Sequence, residues 1–174
     1  MKQKRIFIAV ASKTGTTMRC ATRLAGLLSD HSVEVCDLTR EQPSPAGYDL
    51  VIVGGSIRLG RLHPAARRYM RSNQALLQNM QAAYYICNCF VEQKEALFQS
   101  NVPAGLLEKA VCTDSFGGEL DLDRQKGLDK LVAKMAVKAL DGHAVREICT
   151  HSIEAFATAI QKAESPCLPD AQLG

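Results

Sequence analysis

Four hydroxyl side chains and one glycine lie directly after the first apolar run of the chain, residues 6–11. The cluster consists of Gly15 and the hydroxyl residues Ser12, Thr14, Thr16 and Thr17. The apolar run predicts a strand, and the spacing of apolar residues predicts a helix from Met18 to Leu28. The first N–H groups of such a helix lack partners and carry the positive end of its dipole. Because glycine allows close backbone approach and the hydroxyls add donors, this turn predicts a bound anion, specifically a phosphate.

The glycine spacing in this turn limits which phosphate-bearing ligands it is able to hold. A nucleoside triphosphate loop requires G-x-x-x-x-G-K-S/T and a dinucleotide loop requires G-x-G-x-x-G, and the sequence has neither pattern here. A second interpretation stays open, in which the turn is an ordinary strand-to-helix junction with a threonine as the N-cap.

Three basic side chains precede the predicted helix that starts at Pro64. Arg58, Arg61 and His63 lie close together in the sequence, after a predicted strand that ends in a Gly54-Gly55-Ser56 turn. Arginine offers a two-pronged donor to carboxylates, so this loop could bind an anionic substrate or attract a protein partner. The alternative is a solvated basic loop with no ligand. No pair of acidic residues and no histidine has a spacing that requires acid–base catalysis.

Short apolar runs alternate with helical patterns, which predicts an α/β fold with a parallel sheet and crossover helices. The predicted strands are Arg5–Ala11, Val33–Leu38, Leu50–Gly54, Ala83–Cys87 and Ala110–Thr113. The predicted helices are Met18–Leu28, Pro64–Asn79, Gln93–Gln99, Leu106–Lys109, Leu128–Leu140 and Ser152–Lys162. Ligands of such sheets bind at the carboxyl ends of the strands, where the predicted phosphate turn and the basic loop both begin.

Composition excludes several classes of protein. The net charge is only +3 and aromatic residues are 5% of the chain, which disfavours nucleic-acid binding. Seven scattered cysteines indicate a reducing compartment and no disulfide framework. The pair Cys87 and Cys89 has no second Cys/His pair at zinc spacing, so no metal is expected. No apolar run approaches the roughly 20 residues of a membrane span, so we expect a cytoplasmic protein, either free or peripheral to the membrane.

Three segments resemble the flavodoxin-like family that includes the menaquinone-dependent protoporphyrinogen oxidases of bacteria. They are Ser12–Thr17, Tyr48–Arg58, and Ser115–Asp121 with the following Leu128–Leu140 helix. The resemblance extends over about residues 5–162. It implies a three-layer fold with a five-stranded parallel sheet in the order 2-1-3-4-5 and helices on both faces. Residues 1–164 would then form one domain and residues 165–174 a tail.

The resemblance also implies FMN as the cofactor. Its phosphate would be held by Ser12, Lys13, Thr14, Gly15, Thr16 and Thr17. Its ring would be flanked by Gly55, Ser56, Ile57, Arg58, Leu59 and Gly60, by Asn88, Cys89 and Phe90, and by Phe116, Gly117 and Gly118. Asn88 would hydrogen-bond the pyrimidine edge or, alternatively, cap the next helix. The rings of Phe90 and Phe116 would lie at the flavin or, equally, in the core.

Three functions are compatible with this sequence. The resemblance implies an oxidoreductase that passes electrons from a reduced substrate, such as a porphyrinogen, to a quinone or similar acceptor. The second is a soluble electron carrier, a class that is usually strongly acidic, whereas this chain is mildly basic. The third is a degenerate flavodoxin domain that binds or regulates. A homodimer is compatible with all three.

Overall fold

One sheet organises the chain in the computed structural model, which describes residues 3–118 and 147–163. Within these residues the strands are β1 (Arg5–Ala11), β2 (Ser32–Asp37), β3 (Leu50–Arg58), β4 (Arg61–Leu62), β5 (Gln81–Cys87) and β6 (Thr113–Ser115). Five of them are parallel in the order β2-β1-β3-β5-β6, and the short β4 pairs antiparallel with β3. Apart from β4, this is the predicted strand order.

Helices cover both faces of the sheet. They are α1 (Thr16–Leu27), α2 (Pro64–Ser72), α3 (Gln74–Leu77), α4 (Lys94–Asn101), α5 (Ala104–Leu107) and α6 (Thr150–Lys162), with a 3₁₀ turn at Val91–Gln93. One core lies between the sheet and α2, α4 and α5, and the other lies between the sheet and α1 and α6. The sheet is therefore the middle of three layers, as the family resemblance implies.

The central strands are apolar on both faces because each face is covered. Residues Ile6–Ala11 of β1 are all fully buried, and Leu50–Ile52 of β3 are too. A continuous apolar run is the pattern of a parallel strand between two helical layers. Three of the six residues of the edge strand β2 are exposed, and this strand is accordingly more polar.

The structure differs from the prediction at several element ends. The predicted Pro64–Asn79 helix is broken at Asn73, whose backbone (φ −110°, ψ 16°) leaves the helical region and whose side-chain Nδ2 donates to the Tyr69 carbonyl. The predicted Ala110–Thr113 strand begins only at Thr113, although the Val111 N–H and the Cys112 carbonyl already bond to β5. The predicted Leu128–Leu140 helix and the tail from residue 165 lie outside the described residues.

The largest difference concerns the segment after Gly54, which was predicted to leave the sheet as a loop. Strand β3 instead continues to Arg58, turns at Leu59 and Gly60, and returns as β4. Both turn residues have positive φ, 49° and 72°, the pattern of a two-residue type I′ hairpin. This hairpin was missed because leucine at the first turn position is unusual there, where asparagine or aspartate is the recognisable signal.

Candidate functional site

The ends of four parallel strands bring the predicted site segments to one edge of the sheet. Ala11, Gly55, Ile86 and Ser115 are consecutive partners across β1, β3, β5 and β6. The chain leaves β1 toward β2 on one side, whereas β3 lies on the other side of β1. This reversal of direction creates the crevice where open α/β sheets bind ligands.

The turn after β1 has the geometry of an open helix N-terminus. Gly15 is the N-cap of α1 with φ 89°, in the left-handed region, and no side chain caps the helix. The Ser12 hydroxyl oxygen accepts the Gly15 N–H at 3.0 Å, which closes the turn. A threonine N-cap is therefore not what the structure contains. The 12-residue helix α1 directs its uncapped first turn toward the crevice.

Arg19 adds a positive charge at this turn, and the sequence analysis missed it. Its guanidinium donates to the Thr16 hydroxyl at 3.3 Å, and a Cβ placed on Gly15 would lie 3.6 Å from the same guanidinium. The available signal was the spacing, because Arg19 is three positions after Thr16 on one helix face. A guanidinium at this position is able to neutralise part of the charge of a bound phosphate.

Thr17 is buried beneath the same turn. Its side chain is fully buried, and its hydroxyl lies close enough to the Cys87 thiol to oppose the rise in the pKa of that thiol. Its backbone carbonyl accepts a 3.0 Å hydrogen bond from the Tyr85 hydroxyl, which stands on the neighbouring strand β5. Thr17 therefore belongs to the buried contact between α1 and β5.

His63 is the residue of the basic loop that lies close to the predicted phosphate turn. It is the N-cap of α2, where its Nδ1 accepts the Ala65 N–H at 3.3 Å. Burial lowers the pKa of His63, the charge of Lys13 lowers it further, and Asp37 opposes both. Lys13 and His63 are therefore close enough for their charges to interact, and the structural role of His63 is to cap a helix.

The hairpin between β3 and β4 carries the two predicted arginines. Arg58 and Arg61 are directly opposed across the ladder, and Leu59 at the tip is 76% exposed. Like charges at directly opposed positions of a ladder are destabilising. The hairpin thus concentrates two positive charges next to its exposed tip.

Asn101, at the end of α4, fixes the shape of this hairpin. Its Oδ1 accepts the Leu62 N–H at 2.7 Å, and its Nδ2 donates to the Gly60 carbonyl at 2.9 Å. These bonds hold the second residue of the turn and the returning strand β4. Sequence reasoning missed this residue because the contact spans 39 positions.

The glycines at the end of β3 provide room for packing. A Cβ on Gly54 would lie 2.0 Å from the Tyr85 ring, and a Cβ on Gly55 would lie 2.5 Å from Leu62. Gly55 is buried within the ladder, whereas Ser56, Ile57 and Arg58 are half-buried as β3 emerges from the sheet. The half-buried residues are thus the part of β3 that reaches the crevice.

The segments after β5 and β6 are joined to each other. The Asn88 side chain accepts the Ser115 hydroxyl and donates to the Phe90 carbonyl. A Cβ on Gly118 would lie 3.0 Å from Cys89 Sγ and from the Asn88 carbonyl carbon, so Gly118 is needed for this close approach. Asn88 therefore holds its own loop in shape, and it caps neither the 3₁₀ turn nor α4.

The two phenylalanines have different environments. Phe116 is fully buried, stacked on Tyr85 at 4.5 Å and edge-on to Phe156 at 5.2 Å between ring centroids. Its ring therefore belongs to the core, the second of the two interpretations that the sequence allowed. Phe90 is half-buried at the start of the 3₁₀ turn.

Neither a metal site nor a membrane-spanning helix is found within residues 3–118 and 147–163. In that part of the protein, no three His, Cys, Asp or Glu side chains converge as a metal site would require. None of the helices described there has the length and apolar character needed to cross a membrane.

Known proteins share parts of this sequence and this fold. Protoporphyrinogen IX dehydrogenase (quinone) of Escherichia coli strain K12 is 30% identical over 91 residues, which cover 51% of this chain and 50% of that protein. The chain thus matches about half the length of this curated relative. Among solved structures, Fusobacterium nucleatum flavodoxin bound to flavin mononucleotide superposes with a TM-score of 0.51 at 10% identity, covering 92% of this chain and 98% of that one.

Oxidised flavodoxin 2 of Bacillus cereus gives the same TM-score of 0.51 at 18% identity, covering 90% of this chain and 97% of that one. At these identities the two structures establish the fold alone. The sequence model of the flavodoxin domain matches residues 7–145, which is most of the chain. With the strand order and the glycine turn after β1, this match shows that the chain belongs to the flavodoxin domain family.

Proposed function

We propose that this protein binds FMN and acts as an oxidoreductase that passes electrons from a reduced organic substrate to a quinone or similar acceptor. One observation carries the proposal, the uncapped N-terminus of α1 behind the left-handed Gly15 at the sheet crevice. FMN supplies the redox chemistry when bound, because its ring accepts and releases electrons. The protein contributes binding, orientation and electrostatics.

The phosphate end of the proposed site is the segment Ser12–Thr17. Its open helix N-terminus and its hydroxyl groups supply hydrogen-bond donors to a phosphate. Positive charge at Arg19 and Lys13 offsets the charge of the dianion, which makes a monophosphate a better fit than a neutral ligand.

The ring end of the proposed site is formed by the segments 55–60, 88–90 and 116–118. Phe90 and the exposed Leu59 are the side chains that we assign to the flavin faces, since the Phe116 ring is occupied by core packing. The backbone of Gly117 and Gly118 remains the part of that third segment assigned to the ring edge. Asn88 acts as a positioning residue, because its side chain holds the Phe90 carbonyl.

The opposed Arg58 and Arg61 support an anionic substrate beside the ring. A porphyrinogen carries propionate groups that match a pair of guanidinium forks. The Escherichia coli relative is named for a porphyrinogen and a quinone, and the similar region covers about half of each of the two chains. We therefore assign the hairpin to the substrate and the phosphate turn to the cofactor.

A titration with FMN and with riboflavin tests the cofactor assignment. We expect one FMN per chain and much weaker binding of riboflavin, which lacks the phosphate. Each charge-assisted hydrogen bond to the phosphate is worth roughly 1.5–3 kcal/mol. Equal affinity for both flavins would remove the Ser12–Thr17 segment from its role, and no binding of either would refute the proposal.

A further inference from the structure

Two buried cysteines meet directly behind the phosphate turn. The Cys87 thiol donates a hydrogen bond to Cys20 Sγ across 3.7 Å, and both side chains are buried. Cys20 lies in the second turn of α1 and Cys87 is the last residue of β5. The contact therefore joins the helix that begins at the phosphate turn to the strand that leads into the segment Asn88–Phe90.

The two sulfur atoms need only a small movement to bond. A disulfide has a sulfur–sulfur length of about 2.05 Å, so closure requires the atoms to approach by less than 2 Å. We infer that Cys20 and Cys87 are a disulfide-forming pair, and that its closure displaces the first turns of α1 and weakens the binding of FMN. The second part of this inference rests on the proposed function, whereas the first part does not.

The electrostatics assign different roles to the two sulfurs. The hydrogen bond from Cys87 and the nearby charges of Arg19 and Arg23 lower the pKa of Cys20 against the opposing effect of burial. The same hydrogen bond and burial raise the pKa of Cys87. Cys20 is accordingly the thiolate that reacts first, since the thiolate is the nucleophile in cysteine oxidation.

Hydrogen peroxide is the oxidant that we assign to this step. The Cys20 thiolate attacks one peroxide oxygen, the O–O bond breaks, and the product is a sulfenic acid on Cys20 with release of water after proton uptake. The Cys87 sulfur then attacks the Cys20 sulfur, the S–O bond breaks, and the departing hydroxide leaves as water with the Cys87 proton. In total, two thiols and one peroxide give one disulfide and two waters.

A buried pair needs a path for the oxidant. The first turn of α1 lacks a side-chain cap, so its opening costs less than that of a capped helix. Cys36 offers a matched comparison within the chain, since it is also buried and burial raises its pKa to about 11. The Cys36 Sγ atom contacts the Glu41 carbonyl oxygen at 3.9 Å, and this contact offers no second sulfur for a disulfide.

Peptide mapping after oxidation tests the pair directly. The purified protein is treated with hydrogen peroxide, remaining thiols are alkylated, and trypsin digestion is done without reduction. Trypsin cleaves after Arg19 and Arg23, so Cys20 is isolated in the short peptide 20–23. We expect this peptide to be linked to the one that contains Cys87, while Cys36 stays alkylated.

Matched variants identify the bonded atoms. Cys89→Ser should still form the link, whereas Cys20→Ser and Cys87→Ser should each abolish it. Cys36→Ser is the control for loss of a buried thiol elsewhere. A link between Cys87 and Cys89, or no link under conditions that oxidise Cys89, would overturn the inference.

The effect on FMN is measured in the same samples. Displacement of one charge-assisted hydrogen bond at the phosphate corresponds to a roughly 10- to 100-fold higher Kd. We expect this weakening in the oxidised protein, reversal by dithiothreitol, and no response to peroxide in Cys20→Ser. Unchanged affinity with the disulfide formed would overturn the second part. Failure of the reduced protein to bind FMN would refute the proposed function instead, while the peptide map would still decide the first part.

Discussion

Gly15 offers a clean separation of backbone strain from ligand binding. Its φ of 89° is in the left-handed region, where a residue with a side chain costs about 1–2 kcal/mol. A Cβ at this position would have ordinary contact, 3.6 Å to an Arg19 nitrogen. Replacement of Gly15 by valine should therefore strain the backbone, while the protein has room for the added Cβ. For a chain of this size, that cost lowers Tm by about 2–8 °C.

The predicted effect of Gly15→Val on FMN is much larger than its effect on stability. The branched side chain stands where the phosphate approaches the helix N-terminus, and loss of at least two charge-assisted hydrogen bonds costs about 3–6 kcal/mol. That range corresponds to a rise in Kd of roughly two to four orders of magnitude. Isothermal titration or fluorescence quenching of FMN measures it directly.

Gly47 supplies a matched control for this experiment. Its φ is 87°, and a Cβ there would lie 3.7 Å from an Arg5 nitrogen, so Gly47→Val reproduces both the strain and the local contact. Gly47 precedes β3, at the opposite edge of the sheet from the phosphate turn. Both variants should lose similar stability, and only Gly15→Val should lose FMN. Similar FMN affinity in the two folded variants would refute the assignment of the phosphate to the Ser12–Thr17 turn.

Two further predictions concern the basic segment. Changing Arg58 and Arg61 together to Gln should leave FMN affinity nearly intact and lower kcat/KM with a porphyrinogen or quinone-linked assay. The loss of kcat/KM should persist at high salt if the arginines contact a small substrate. If they attract a protein partner instead, high salt should already reduce the wild-type rate. Unchanged turnover in the double variant would mean that the hairpin is a solvated surface. His63 has a lowered pKa, so its neutral form is favoured in the folded state and the unfolded state takes up the proton first. The free energy of unfolding should thus fall as pH drops from about 7 to 5, which is above the range where carboxylates such as Asp37 titrate. The variant His63→Asn keeps an N-cap and should reduce this fall, as measured by denaturant melts at each pH. The same pH profile in the variant and the wild type would contradict this prediction.

The sequence predicted the central elements well because burial leaves a strong local pattern. The bounds of β1, Arg5–Ala11, agree with the structure, since a strand covered on both faces is apolar throughout. The helix after the phosphate turn begins at Thr16, two residues before the prediction, because Gly15 starts it without a capping side chain. Local periodicity thus predicts which elements form and places their ends to within a few residues.

Features that depend on distant contacts left no readable pattern. The hairpin after Gly54 is held by Asn101 from another element, and its turn uses Leu59 at positive φ in place of a typical turn residue. The choice between flavin and core for Phe116 was decided by Tyr85 and Phe156, which lie far from it in the sequence. In each case the deciding partner is a tertiary contact.

Tyr85 couples the core of the sheet to the proposed cofactor site. Its ring occupies the space that the missing side chain of Gly54 leaves, and it stacks on Phe116. A buried tyrosine hydroxyl needs a hydrogen-bond partner, and this one donates to the Thr17 carbonyl at the first turn of α1. The position of the phosphate turn relative to the strands is thereby set by packing on β3 and β5. Because Tyr85 bonds to a carbonyl, it uses none of the N–H groups of the first turn, so the same contacts that stabilise the core leave the helix N-terminus available to an anion.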